Sequence, residues 1–90
     1  MTTTKRWTVQ IFLSEHDDGT TRAEAQLDTH TGTSIRAVGA AHCNPEDVNV
    51  PEIGDELATA RALATLGETL LRIAAGDVEA STHEPVSLKR

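Results

Sequence analysis

The sequence predicts an α+β fold: a three-stranded antiparallel meander packed on one long C-terminal helix, in the order β-β-β-α. Three observations carry this reading. Residues 7 to 43 hold three runs of period-2 alternation, separated by short turn signals. Residues 51 to 75 then repeat apolar side chains at spacings of three and four. The chain has 90 residues, which is the size of one small domain, residues 1–90.

The first strand is expected at about 7–15. Trp7, Val9, Ile11 and Leu13 share one parity, while Thr8, Gln10 and Ser14 share the other. Phe12 stands with the polar set. Asp18-Gly19 supplies a strong turn signal. The second strand, about 20–29, turns Ala23, Ala25 and Leu27 one way and Arg22, Glu24, Gln26 and Asp28 the other. A turn at His30-Thr31-Gly32 follows. The third strand, about 33–43, places Ile35, Ala37, Gly39, Ala41 and Cys43 on the inner face and Arg36, Val38, Ala40 and His42 outside. Short turns between three strands make a meander. So many small inner residues let a helix lie close to the sheet.

The helix is expected over about 51–75. Its apolar face reads Ile53, Leu57, Ala60, Leu63, Leu66, Leu70 and Ile73. Gly76 is the expected stop, because glycine accepts the left-handed conformation that ends helices. Residues 77–90 are expected as a short turn or loose tail.

The stretch joining strand three to the helix, "NPEDVNVPEIGDELATARAL", holds Glu46, Asp47, Glu52, Asp55 and Glu56. A calcium loop requires alternating oxygen ligands and a glycine at its sixth position. Counted from Asp47, Asn49 fits, but Pro51 and Glu52 stand where the ligand and the glycine should be. Helix-start chemistry fits better. Asn49 and Glu52 have the spacing of a capping box. Pro51 is tolerated in a first turn, and carboxylates there meet the positive end of the helix dipole.

Composition narrows function further. Trp7 and Phe12 are the only aromatic residues, so the core must be aliphatic and alanine-rich. A chain of this size buries roughly 60–65 % of its unfolded surface, and a thin core favours pairing with a second copy. Phe12, Val38 and Ala40, on the outer sheet face, are the candidate dimer surface. Cys43 is the single cysteine, so no internal disulfide forms; it is expected as a buried, inert thiol. No apolar run approaches the roughly 20 residues of a membrane span, and the N-terminal residues lack a secretory signal. The expected location is the cytoplasm, away from membranes. A formal charge of −6 opposes strong non-specific nucleic-acid binding. Lys5, Arg6, Arg22 and Arg36 form the one candidate contact for RNA or a ribosome. His16, His30, His42 and His83 have no metal-ligand spacing, and no phosphate-binding glycine loop is present. No enzyme activity, cofactor, metal or small-molecule substrate is expected.

The central motif "NPEDVNVPEIGDELATARAL", with "WTV" at 7–9, "TRAEAQL" at 21–27, "VGAA" at 38–41 and "EASTHEP" at 79–85, resembles a small actinobacterial family of uncharacterised proteins. That family is described as having a double-stranded-RNA-binding-domain-like fold. It includes a mycobacterial dormancy-associated protein whose dimer has been likened to ribosome hibernation-promoting factors. The resemblance covers nearly the whole chain. It implies a non-enzymatic homodimer in stress or dormancy, with the ribosome as a partner. The alternative is a protein–protein interaction module that binds no nucleic acid. The family offers no catalytic residues to carry over.

Overall fold

The computed structural model describes residues 1–43 and 50–82. Strands β1 (Thr8–Glu15), β2 (Thr20–Asp28) and β3 (Ser34–His42) precede one helix, α1 (Pro51–Thr82). The strands form a single antiparallel sheet in the order β1-β2-β3, which is the expected meander. The register pairs Ile11 with Ala25 and Ala25 with Ala37, so the inward parities of all three strands coincide.

Both turns follow from local chemistry. In the first, the Asp18 carboxylate accepts from the Thr20 amide at 2.9 Å, and Gly19 takes φ +88°. The Gly19 carbonyl accepts from the Cys43 amide at 3.0 Å, tying the end of β3 to this turn. In the second, Gly32 takes φ +89° and His30 takes φ +61°, a conformation that costs a non-glycine residue energy. The Asp28 carboxylate accepts from the His30 amide at 2.8 Å and offsets part of that cost.

The core lies between the sheet and α1. Ala23, Ala25, Leu27, Ala37 and Ala41 meet Ala58, Ala62 and Leu66, with Ile11, Ile35 and Leu70 packed around them. This corrects the expected helix face. Ile53, Leu57, Leu63 and Ile73 are exposed, and the buried stripe is Ala58, Ala62 and Leu66 at intervals of four. Gly39 is the reason. A Cβ built there would lie 2.5 Å from the Ala58 carbonyl oxygen and 2.8 Å from the Arg61 carbonyl carbon. The helix backbone therefore rests on the sheet, and only alanines fit at the point of closest approach. Leucine enters the contact at Leu66, which is 4 % exposed.

The helix end is also corrected. Gly76 does not stop α1, which continues to Thr82 rather than ending near residue 75. Glycine inside a helix costs about 1 kcal/mol relative to alanine, and good helix formers surround this one. No proline stands between Pro51 and Thr82 to break the run. At about 1.5 Å per residue, α1 is much longer than the strands beneath it. Its last turns extend past the sheet.

Candidate interaction surfaces

The inner row of β1 is less covered than the alternation suggests. Ile11 is half-buried, but Trp7, Val9 and Leu13 are 55, 41 and 46 % exposed. The helix lies over β2 and β3, where the inner residues are buried, and leaves β1 at the margin. One side of the molecule thus carries an open apolar row beside an unpaired strand edge. That edge has no charge from Thr8 through Ser14, and no proline. Natural sheets usually guard such edges. The β3 edge is guarded: Arg36 lies in the strand, and Arg61 reaches from α1 to donate to the Ala40 carbonyl at 2.7 Å.

The outer face separates the expected dimer residues. Phe12, Glu24 and Val38 form one cross-strand row, so Glu24 stands between the two apolar side chains. Phe12 and Val38 are exposed, and Ala40 lies in the next row opposite Arg22. The expected basic strip is divided in the same way. Glu24 lies 3.9 Å from the Arg22 guanidinium and 3.7 Å from that of Arg36. Lys5 and Arg6 precede β1 and are exposed.

At the helix start, Pro51 opens the first turn and the Ile53 amide donates to the Val50 carbonyl at 3.0 Å. Glu52 is exposed in that turn. Asn49, the other half of the expected cap, lies outside the described residues, as do Glu46, Asp47 and His83. Asp55, one turn on, has a use that spacing did not reveal. Hydrogen bonding with Asp55, then the Asp55 charge, burial and the Glu52 charge, hold the carboxyl of Glu15, the last residue of β1, above the usual range. Among the described residues, no three His, Cys, Asp or Glu side chains converge as metal ligands.

Two further features were not legible in the sequence. A cleft of 230 Å³ opens between the β2–β3 end and the helix start, lined by Thr21, Cys43, Ile53, Gly54 and Leu57 among others. Cys43 is half-buried there rather than fully buried. At the opposite end, His30 Nε2 shares a hydrogen bond with the Thr8 hydroxyl at 3.0 Å, and its Nδ1 lies 3.6 Å from Asp28. The order acid, imidazole, hydroxyl resembles a nucleophile relay. The 3.6 Å separation is too long for the orienting hydrogen bond that such a relay needs. The network instead fastens the start of β1 to the β2–β3 turn.

What these surfaces define is a small α+β scaffold with an open strand edge, and no assembled catalytic constellation among the described residues. The chain belongs to the Rv2632c-like family, whose model matches residues 5–87. It is 49 % identical over 84 residues to the uncharacterised protein Mb1767 of Mycobacterium bovis, covering 93 % of this chain and 87 % of that protein. It is 44 % identical over 79 residues to the uncharacterised protein Rv2632c of Mycobacterium tuberculosis, covering 88 and 83 %. The crystal structure of Rv2632c superimposes with a TM-score of 0.82 at 42 % identity, covering 93 % of this chain and 98 % of that one. The meander and long helix are therefore the family's architecture.

Proposed function

We propose that this chain is a non-enzymatic, cytoplasmic homodimer that acts through surface contacts in stress or dormancy, with the ribosome as its partner. The structural observation behind the homodimer is the unguarded β1 edge beside Trp7, Val9 and Leu13. A two-fold axis beside β1 would pair that strand with its own copy. The six strands would then form one sheet, and the two apolar rows would lie side by side on its helix-bearing face. Phe12 lies on the outer face of the same strand and would flank the seam. The stress and ribosome parts of the reading rest on the family resemblance.

Light scattering tests the assembly. The native chain should have twice its monomer mass, and Val9→Lys with Leu13→Lys should be a folded monomer. A native monomer at high concentration, or an unchanged double variant, would refute β1 as the seam. Sedimentation with ribosomes at low and physiological salt tests the partner: the chain should travel with them, and a chain that stays in the supernatant at both salts removes the ribosome from the reading. The second reading is an interaction module that touches no nucleic acid. The Glu24 carboxylate between Arg22 and Arg36 favours it, since a phosphate approaching either arginine meets that negative charge.

A further inference from the structure

We propose that the outward face of α1 is a second self-association surface, on which the same face of another copy lies antiparallel. It is separate from the β1 edge and does not depend on association there. From Ile53 to Val78, apolar or small residues recur at alternating intervals of four and three along most of the helix. That is the spacing of a coiled-coil seam. The row stands opposite the buried one, since Ala60 and Ala64 each lie two positions, about 200°, from Ala62. Its members are exposed, apart from Leu71, which is half-buried. A helix that is apolar on two opposite faces is ordinarily covered on both.

The occupant that fits this face is its own copy, because the row is palindromic. Ala64 and Gly67 are the central couple, with Ala60 and Leu71 on either side of them. Leu57 and Ala74 come next, and Ile53 and Val78 stand at the ends. In an antiparallel pair each residue meets the other member of its couple on the second copy. Side-chain size then grows from the centre outward. Two straight helices crossing at about 20° are closest at the crossing point and part on either side, so graded sizes keep them in contact. Leucine meets alanine in the intermediate layers, and knobs enter holes. A parallel pair would set Leu57 against Leu57 and Ala60 against Ala60, and the leucines would hold the alanines apart. Charge agrees with the antiparallel order. Arg61 and Glu68 border the row on one flank, each four residues after a member of it, Leu57 or Ala64. Antiparallel pairing brings Arg61 of each copy beside Glu68 of the other. Arg61 gives one nitrogen to the Ala40 carbonyl and has further N–H donors. On the other flank Leu63 comes beside Leu70, while Glu56 and Asp77 oppose each other nearer the ends. The small central side chains and that repulsion make the contact modest. It joins β1-paired dimers at high concentration and does not replace them.

Disulfide trapping of the full chain tests the register, in a background carrying Cys43→Ser. Ala60→Cys and Leu71→Cys chains are oxidised at high concentration, together and separately, and the linked dimer is measured. The mixture should give several-fold more linked dimer than either chain alone. In the proposed register Ala60 meets Leu71, whereas two copies of either position lie about 16 Å apart along the seam, beyond the disulfide reach of about 7 Å. Ala64→Glu added to both chains should abolish the link; Ala64 is exposed, so the single chain keeps its fold. Val9→Lys with Leu13→Lys should leave the link in place, so a failed β1 seam and a failed α1 seam read out separately. No link in the mixture, equal linking in the mixture and in the separate chains, or a link that survives Ala64→Glu would overturn the antiparallel seam.

Discussion

Replacing Gly39 with alanine tests the central packing argument. The new Cβ would fall 2.5 Å from the Ala58 carbonyl oxygen and 2.8 Å from the Arg61 carbonyl carbon, and closer still to the Ala62 nitrogen. All three neighbours are helix backbone, so no rotamer change relieves the overlap. Restoring ordinary contact requires α1 to rise by roughly 1 Å, and a gap of that size forfeits a quarter to a half of each dispersion contact beneath it. Those contacts belong to Ala23, Ala25, Ala37, Ala58, Ala62 and Leu66, which are most of the core. Overpacking of this kind costs about 1–3 kcal/mol, and backbone overlap puts Gly39→Ala near the upper end. The lower entropy of the unfolded alanine chain returns about 0.5 kcal/mol. A net loss of about 2–3 kcal/mol is large against a total stability of about 5–13 kcal/mol for a domain of this size. Urea unfolding should show a midpoint lowered by about 1–3 M with an unchanged slope. Gly67 gives the contrast: it lies in α1 itself, with nothing within 4 Å of its built Cβ. Gly67→Ala should stabilise by about 0.5–1 kcal/mol. If Gly39→Ala is as stable as the native chain, the helix does not rest on the sheet as described.

Leu66 is the one large side chain on the buried helix stripe, at 4 % exposure, and Leu66→Ala should cost about 2–4 kcal/mol in the same unfolding assay. Gly19→Ala combines φ +88° with a Cβ 2.8 Å from the Cys43 carbonyl, so it should lower stability by more than about 1 kcal/mol. The Asp18 carboxyl is held below its ordinary 3.8, first by the Thr20 amide, then by the Thr20 hydroxyl. Its contribution is full above that value and lost as pH falls through the lowered one, so the melting-temperature gap between wild type and Asp18→Ala should close only in strong acid. Thermal melts with calcium, magnesium or a chelator should coincide; a rise with one cation would show that it binds the folded chain preferentially.

The strands were legible because alternation is a local property. Parity along β2 and β3 alone identifies Ala23, Ala25, Leu27, Ala37 and Ala41 as inward, and they are buried. The helix face was not legible in the same way. Hydrophobicity ranks leucine above alanine, so Leu57 and Leu63 were expected inside, yet both are exposed. What decides the face is the distance between backbones, and Gly39 sets it. A signal did exist: the small residues Gly39, Ala37 and Ala41 on the sheet match Ala58 and Ala62, spaced by four on the helix. The exposure of β1 follows from where one helix sits across three strands, and no strand's own pattern encodes that. The carboxyl pair was hidden for a related reason. Glu15 and Asp55 are forty residues apart in sequence, and Asp55 raises the Glu15 carboxyl only because the helix start returns to the end of β1.

The distribution of charge bears on which partner this scaffold can hold. Glu24 sits at the centre of the outer face with an arginine on either side, at 3.9 and 3.7 Å. Exposed pairs of this length are weak, about 0–1 kcal/mol, so the arginines are not locked away. A phosphate approaching Arg22 or Arg36 nevertheless meets the Glu24 carboxylate at the same point, and binding must overcome that repulsion. A duplex RNA is held mainly through its phosphates and needs several unopposed cations along one track. Lys5 and Arg6, which are exposed, lie before β1 and off the sheet, so they do not extend such a track across this face. A protein surface makes different demands. It can offer a carboxylate to each arginine, a cation to Glu24, and an apolar side chain to Phe12 or Val38 in the same row. The alternation of charge and hydrophobicity on this face therefore suits a protein partner better than bare nucleic acid, and contact with a ribosome would be made through its protein surfaces.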